Sequence, residues 1–293
     1  MNQTYLRKPG WLKVRFPAGP NYVRIDNYHR QQGLNSVCRS AACPNQGECW
    51  SRGTATFMIL GNLCSRTCRF CNVDSGTLLP PDPQEPAKIA KAIAELKLNH
   101  AVITSVTRDD LDDGGAGQFV RLIGEIRRQA PNCRIELLIS DLQGNWQALA
   151  KIIAAGPDIL GHNIETVPRL YSQVRPEADY QRSLSLLGET RRQNPLLITK
   201  SGLMLGMGET RNEILQVMRD LRDQGCHLLT LGQYLAPTAG HFQVQRYIPP
   251  DEFDLLAEIG HDLGFLHVES GPLVRSSYHA EEQFQAGSEE PHG

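Results

Sequence analysis

Short apolar runs alternate with amphipathic segments along the chain from residue 54 onward. The apolar runs predict buried strands at 54–61, 100–106, 133–140, 158–165, 196–205 and 227–234. Between them, apolar positions recur at helical spacing and predict helices at 86–98, 118–130, 145–156, 180–193, 209–225 and 251–264. Strands that alternate with helices form parallel βα units. Six such units predict an α/β fold, a partial (βα)6 TIM-like barrel with its functional face at the carboxyl ends of the strands.

Two of these helices carry further signals. Asn145 is placed to cap the amino end of the helix at 145–156, and Gly156 is placed at its carboxyl end. On the helix at 118–130, four apolar residues share one face: Phe119, Leu122, Ile123 and Ile126.

The chain ends differ from the central barrel. Residues 1–50 show little periodicity, and we expect an N-terminal extension wrapped on the main body. The barrel is predicted to span 51–268, and 269–293 form a C-terminal extension. The acidic stretch 280–293 contains Pro and Gly, a composition that predicts a disordered tail.

The composition excludes several classes of protein. Hydrophobic residues make up 40% of the 293 residues, charged residues 21%, and the formal net charge is −2. The basic excess of a nucleic-acid-binding protein is absent, and no apolar run reaches the roughly 18 residues of a membrane span. The amino terminus lacks the apolar stretch of a secretory signal. We therefore expect a cytoplasmic protein that binds neither nucleic acid nor membrane.

Polar residues concentrate where the predicted strands end, which marks the expected functional face. They are residues 108–113, Ser140, Asn163, Glu165, Lys200, Ser201, Gln233 and Tyr234.

Three cysteines follow the first predicted strand in "CSRTCRFC": Cys64, Cys68 and Cys71, spaced C-x3-C-x2-C. Thiolates are soft ligands that suit iron–sulfur clusters, zinc or copper(I). A [4Fe–4S] cluster ordinarily takes four cysteines, so three would leave one iron open to a small molecule. Zinc is the alternative, although structural zinc sites favour paired C-x2-4-C knuckles.

A second triad lies upstream in "CRSAACPNQGEC": Cys38, Cys43 and Cys49, spaced C-x4-C-x5-C. Disulfides are disfavoured in a reducing compartment, so two triads suggest two clusters. The remaining cysteines, Cys133 and Cys226, are isolated and are interpreted as small buried apolar residues.

The first triad and its position after a strand resemble the radical S-adenosylmethionine (SAM) superfamily, in which C-x3-C-x2-C holds a [4Fe–4S] cluster. Phe70, before the third cysteine, also fits the family loop. The resemblance implies that the amino and carboxylate groups of SAM chelate the open iron.

Within that superfamily the pair of triads resembles lipoyl synthases. The likeness extends over roughly residues 33–280 and includes "TSVTRDDLDDGGAGQF", "GHNIETV", "TKSGLMLGMGET", "LGQYLAPT" and "SGPLVRSSYHA". It implies that a serine of "RSSY" is the fourth ligand of the Cys38, Cys43 and Cys49 cluster. We assign Ser277, with Ser276 as the alternative. Without the triads, the serine pair would be interpreted as a turn or cap.

The resemblance further implies a radical sulfurtransferase. Two SAM molecules are cleaved in turn, and sulfur from the second cluster enters carbons 6 and 8 of an octanoyl group carried on a protein lysine. The implied partners are octanoylated E2 subunits of 2-oxoacid dehydrogenases and the glycine cleavage H protein. A ferredoxin or flavodoxin would supply electrons, and an iron–sulfur repair protein would rebuild the consumed cluster.

Further polar residues are candidates for the SAM and substrate pocket. Gly114 and Gly115 are expected to offer backbone contacts, with a turn before a helix as the alternative. Asn163 and Glu165 are placed to meet a ribose or amino group, or to cap the next helix. Arg175 and Lys200 are candidates for the SAM carboxylate or the carrier, with a solvated surface charge as the alternative. His162 is a candidate to line the pocket. His279, beside the serine motif, is a candidate to support a ligand of the second cluster without binding the metal itself.

Two other functions compete. One is a different sulfur-inserting radical SAM enzyme, of the biotin synthase or methylthiotransferase kind, but the former lacks the upstream triad and the latter adds an RNA-binding domain. The other is an iron–sulfur electron-transfer protein, which would want four cysteines for each cluster.

Overall fold

Seven parallel strands form one sheet in the computed structural model, which describes residues 6–13, 19–41, 43–51 and 54–288. The strands are β1 (Ala55–Ile59), β2 (His100–Ser105), β3 (Arg134–Leu138), β4 (Ile159–Gly161), β5 (Ile198–Leu205), β6 (Leu228–Gln233) and β7 (His267–Gly271). Their order in the sheet is their order in the chain. Over the described residues β1 and β7 are the two edges, so the part-barrel is open.

The helices follow the strands as βα units require. Preceding the sheet are α1 (Pro20–Gln32), α2 (Val37–Ser40) and α3 (Gln46–Ser51). After it begins come α4 (Glu85–Leu96), α5 (Ala116–Gln129), α6 (Trp146–Ala154), α7 (Tyr171–Val174), α8 (Tyr180–Gln193), α9 (Arg211–Asp223), α10 (Pro250–Asp262) and α11 (Ala280–Ser288). Within the described ranges, no helix is both long and apolar enough to cross a membrane.

The core lies between the sheet and this helical layer. β1 and β6 are buried at every position, as expected for parallel strands covered on both faces. The predicted apolar face of α5 is confirmed, since all four of its residues are buried. The Asn145 cap is also confirmed, because its side chain accepts a hydrogen bond from the Ala148 amide at 3.0 Å.

An aromatic stack joins the N-terminal helices to the sheet. The His29 ring, on α1, stacks on Trp50 of α3 at 5.4 Å and on Phe57 of β1 at 5.2 Å. All three side chains are buried. The α1 helix was not predicted, because it is mostly polar and buries few of its residues, chiefly Ile25 and His29.

The structure corrects several predictions. A seventh strand, β7, follows the six predicted strands and crosses the predicted boundary at residue 268. Residues 280–288 form α11 and are not a disordered tail, while 289–293 lie outside the described residues. Gly156 follows the C-cap of α6, which is Ala155. Lys200 and Ser201 lie near the start of β5, not at its carboxyl end. The division into three domains stays a prediction.

Candidate functional site

The loop after β1 carries the first cysteine triad to the carboxyl end of the sheet. It is fixed at Cys64, whose amide donates to the Asp74 carbonyl oxygen at 2.8 Å, and by a turn from the Cys71 amide to the Cys68 carbonyl oxygen at 3.1 Å. The Cys64 Sγ accepts backbone N–H groups from Arg66 at 3.4 Å and Thr107 at 3.3 Å. Amide donors of this kind stabilise a thiolate.

The three thiols of this loop influence one another electrostatically. Burial raises the pKa of Cys68 to about 12; Arg175 opposes this, and Cys71 and Cys64 add to it. Burial also raises the pKa of Cys71 to about 11, with contributions from Cys64 and Glu165. The structure therefore brings the predicted triad together in a half-buried setting.

The second triad is held by α2, α3 and the turn between them. The Cys43 amide donates to the Cys38 carbonyl oxygen at 2.9 Å, and the Cys49 amide to the Asn45 carbonyl oxygen at 2.9 Å. A hydrogen bond between the Cys38 and Cys43 thiols raises the pKa of Cys38 and lowers that of Cys43. Ser36 ties the segment to the sheet, because its hydroxyl donates to the Thr56 carbonyl oxygen at 2.9 Å.

The serine motif lies against this second triad. The Tyr278 hydroxyl donates to the Glu48 carboxylate at 3.2 Å, and the Asn45 side chain donates to the Leu273 carbonyl oxygen. Arg275 is influenced by Cys43: burial lowers the pKa of Arg275, while Cys43 and Glu165 raise it. Residues 273–278 thus contact the segment that carries Cys43 and Cys49.

Asn163 separates the roles of the two serines. Its Nδ2 donates to the Ser276 Oγ at 2.7 Å. Ser277 makes no hydrogen bond to the described residues, so its hydroxyl is the one left for a ligand role.

Glu165 and Arg175 lie close enough to the first triad to influence it: Arg175 lowers the pKa of Cys68, and Glu165 raises that of Cys71. Glu165 follows β4 and has a φ of 68°, in the left-handed region that a residue with a side chain rarely adopts. Burial raises the Glu165 pKa against the influence of Arg175. The Arg175 Nη1 donates to the carbonyl oxygens of Asn163 at 2.9 Å and Ile164 at 3.0 Å. Its Nε is buried and has no partner among the described residues, so a donor remains for an anionic group.

His162 lines the interior below this site. Its Nδ1 lies 2.9 Å from the Ile139 carbonyl oxygen and therefore carries the proton, which makes Nε2 an acceptor. Burial lowers the pKa of His162 to about 4, so the ring is neutral at pH 7. The Nε2 is buried without a partner in the described structure. His279, which is next to the serine motif, lies 3.7 Å from Glu48 and 3.5 Å from Glu269.

The glycine pair forms the turn before α5. Gly114 and Gly115 have φ values of 59° and 89°, and a side chain on Gly115 would overlap Leu60. Their amides already donate to the Leu111 carbonyl oxygen and the Asp113 carboxylate, both at 2.9 Å. The Gly115 carbonyl oxygen also accepts the Gln118 amide at 3.0 Å, so the pair chiefly forms the turn that starts α5.

Lys200 is not brought to the site. Its Nζ lies 2.7 Å from Glu136 Oε1, and both side chains are buried in the sheet. Cys133 and Cys226 are buried, as predicted, apart from both triads.

Thiolates suit iron–sulfur clusters, and the described thiol sets do not converge on a single metal ion. In the residues that the structure describes, no three His, Cys, Asp or Glu side chains are grouped to hold one metal ion. A single zinc ion needs all of its sulfur ligands about 2.3 Å from one atom. In a [4Fe–4S] cluster each thiolate binds a different iron, so the sulfur atoms lie further apart.

Arg66 was not singled out in the sequence analysis, although this residue lies inside the loop that carries the first triad. Arg66 is buried and bonds Asp109 and Asp141. A cation between two candidate metal-binding cysteines, followed at 109–110 by paired aspartates, was the available signal.

Comparisons with known proteins agree with the geometry. The Radical SAM superfamily model matches residues 58–221. A lipoyl synthase of Caldanaerobacter subterraneus is 52% identical over 94% of this chain and 96% of its own length. A lipoyl synthase of Desulfotalea psychrophila is 53% identical over 97% and 95%.

Solved structures show the same fold at low identity. A methylornithine synthase matches with a TM-score of 0.55 and 14% identity over 77% of this chain and 69% of that one. A maturase of the [FeFe]-hydrogenase matches with a TM-score of 0.57 and 12% identity over 84% and 61%. Together with the sequence relatives, these findings show that the chain belongs to the lipoyl synthase family of radical SAM sulfurtransferases.

Proposed function

We propose that the protein inserts two sulfur atoms, at carbons 6 and 8 of an octanoyl group on a carrier lysine. The observation that carries this proposal is that two cysteine triads lie on linked segments, since the Asn72 side chain, next to Cys71, donates to the Ser40 carbonyl oxygen at 2.7 Å, and that the serine motif contacts the second of them. An enzyme that only cleaved SAM would need one triad, whereas sulfur insertion also needs a donor.

Cys64, Cys68 and Cys71 would hold the [4Fe–4S] cluster that binds SAM. When bound, the cluster and SAM would together supply a one-electron reductive cleavage of SAM. That chemistry can break unactivated C–H bonds, which the side chains of a protein cannot. The unpartnered Nε of Arg175 suits the SAM carboxylate, and Glu165 suits its amino group. Phe70, Asn163 and the carbonyl group of Gly114 complete the proposed pocket, whereas the Gly115 carbonyl oxygen already accepts the Gln118 amide. The buried ion pair of Lys200 leaves it no part there.

Cys38, Cys43, Cys49 and Ser277 would hold the second cluster, which donates the sulfur. Ser277 is preferred over Ser276 because Asn163 already holds the Ser276 hydroxyl. A hydroxyl is a harder ligand than a thiolate and matches a cluster iron poorly. A weak fourth ligand suits a cluster that must release iron as its sulfur is used.

The proposed partners follow from the substrate. The octanoyl group would arrive on a lipoyl carrier protein, such as an E2 subunit of a 2-oxoacid dehydrogenase or the glycine cleavage H protein. A ferredoxin or flavodoxin would supply electrons, and an iron–sulfur repair protein would restore the second cluster.

The test is an anaerobic reaction of the reconstituted protein with SAM, a strong reductant and an octanoyl-lysyl peptide, followed by mass spectrometry. We expect a peptide carrying two added sulfurs, with 5′-deoxyadenosine formed alongside. A Cys38→Ala variant should keep SAM cleavage and lose sulfur insertion. SAM cleavage with an unchanged peptide in the unaltered protein would refute the proposed substrate, and cluster-loaded protein that does not cleave SAM would refute the role of the loop.

A further inference from the structure

The cysteine loop contains a buried cation that the proposed chemistry does not use. Arg66 is 5% exposed, and its guanidinium makes four hydrogen bonds to two carboxylates. Toward Asp109 the distances are 2.6 Å from Nε and 2.9 Å from Nη2. Toward Asp141 they are 3.2 Å from Nη1 and 2.6 Å from Nη2.

These bonds attach the loop to two different strands. Asp109 follows β2 and Asp141 follows β3, whereas Arg66 belongs to the loop after β1. The attachment is strong because burial alone would raise the pKa of Asp141, yet the hydrogen bond from Arg66 holds it well below its usual range. Ionised, paired and forked bonds of this kind fix geometry as well as charge.

The same attachment places both amide donors on the Cys64 sulfur. One donor is the amide of Arg66 itself. The other is the amide of Thr107, two residues before Asp109. Around it, the Ser65 amide donates to the Thr107 carbonyl oxygen and the Asp109 amide to the Ser65 Oγ, both at 3.0 Å.

We propose that Arg66 is a positioning residue that holds the Cys64 sulfur and its two N–H donors, and thereby sets the reduction potential of the loop cluster. Hydrogen bonds to cluster sulfurs are one of the determinants of that potential. They stabilise the reduced state more than the oxidised state because the reduced cluster carries more negative charge. Loosening the donors would therefore make the cluster harder to reduce.

Arg182 provides a matched control. Its Nε donates to the same Asp141 carboxylate at 2.9 Å, but it comes from α8 and does not touch the cysteine loop. Arg66→Lys and Arg182→Lys both keep the charge and remove a guanidinium that bonds Asp141. Only the first removes the paired bonds from the loop to the Asp109 carboxylate.

The experiment uses the reconstituted enzyme. The midpoint potential is followed through the electron paramagnetic resonance signal that changes when SAM is added, which identifies the loop cluster. SAM cleavage is measured with reduced flavodoxin and with the stronger reductant titanium(III) citrate.

For Arg66→Lys we expect a more negative midpoint and a fall of about 10- to 100-fold in cleavage with flavodoxin, the range found when groups behind metal ligands are changed. Titanium(III) citrate should restore most of the rate. Arg182→Lys should match the unaltered enzyme in both respects. An unchanged midpoint in folded Arg66→Lys, or equal effects of the two variants, would overturn the proposal.

If Arg66→Lys does not fold, Asp109→Asn takes its place, because it weakens the same link and leaves Arg66 paired with Asp141. The readouts and expected directions are the same. Neither readout depends on the octanoyl substrate or on Ser277, so failure here is distinguishable from failure of the proposed sulfur insertion.

Discussion

Replacing Lys200 by Met decides whether this lysine supports the sheet or binds the cofactor. Lys200 Nζ lies 2.7 Å from Glu136 Oε1, and the two side chains are 2% and 3% exposed. Glu136 Oε2 also lies 3.1 Å from His100 Nε2. Met is close to Lys in volume, so the change chiefly removes one charge of a buried pair.

The expected loss of folding free energy depends on which partners Glu136 keeps in the variant. Removing one partner of a buried ion pair costs about 3–5 kcal/mol, because the other charge stays buried. His100 still bonds Glu136, so we expect the lower end of that range, about 3 kcal/mol. For a domain of this size, about 3 kcal/mol lowers the midpoint of thermal unfolding by roughly 6–12 °C.

The assay is thermal unfolding followed by circular dichroism under anaerobic conditions, together with SAM binding by equilibrium dialysis. The double variant Glu136→Leu/Lys200→Met should recover most of the midpoint, because it leaves no unpaired buried charge. Glu189→Gln, which breaks an ion pair with the exposed Arg192, should leave the midpoint unchanged. SAM affinity should be the same in Lys200→Met as in the unaltered protein. Weakened SAM binding without a lowered midpoint would refute the structural role.

Three further predictions concern cluster assembly, the pH dependence of stability and the position of the serine motif. Burial raises the pKa of Cys68 to about 12 and that of Cys71 to about 11, so iron must displace their protons when the cluster forms. The rate of cluster assembly, followed by visible absorbance, should therefore rise between pH 7 and pH 9. A rate that does not change with pH would contradict this. Burial lowers the pKa of His29 to about 4, below its unfolded value of about 6.5, so its contribution to stability is lost as pH falls from 6.5 toward 4; unfolding midpoints of His29→Phe should depend less on pH across that window. A methyl group at Gly232 would overlap the Val274 carbonyl oxygen; Gly232→Ala should displace the serine motif and lower the iron per chain while SAM cleavage continues, and an unchanged iron content would refute this.

The strands could be predicted from the sequence because parallel strands are buried on both faces and appear as apolar runs. Each predicted strand contains an observed one, and Asn145 marked its helix correctly. β7 was missed because its sequence, HVESG, is short and mostly half-buried at the sheet edge. Its pairing with β6 depends on tertiary contacts that a local pattern does not report.

The cysteine triads could be predicted because their spacing is local. The side chains around them could not, because they meet across long separations: 75 residues between Arg66 and Asp141, and 113 between Asn163 and Ser276. Lys200 shows the opposite error. Its polarity suggested a ligand, but a partner 64 residues away, Glu136, takes up its charge inside the sheet.

The open edge of the sheet explains how the two proposed cluster sites differ. Arg66 attaches the loop triad to the ends of two neighbouring strands through its bonds to Asp109 and Asp141. The sheet therefore sets the geometry of this triad. The second triad lies where an N-terminal segment contacts the serine motif, through Asn45 with Leu273 and Tyr278 with Glu48. Those contacts are single hydrogen bonds, which contribute about 0.5–1.5 kcal/mol each. A cluster that stays intact belongs on the first scaffold. One that gives up sulfur and is rebuilt belongs on the second, where its ligands can separate without breaking a strand.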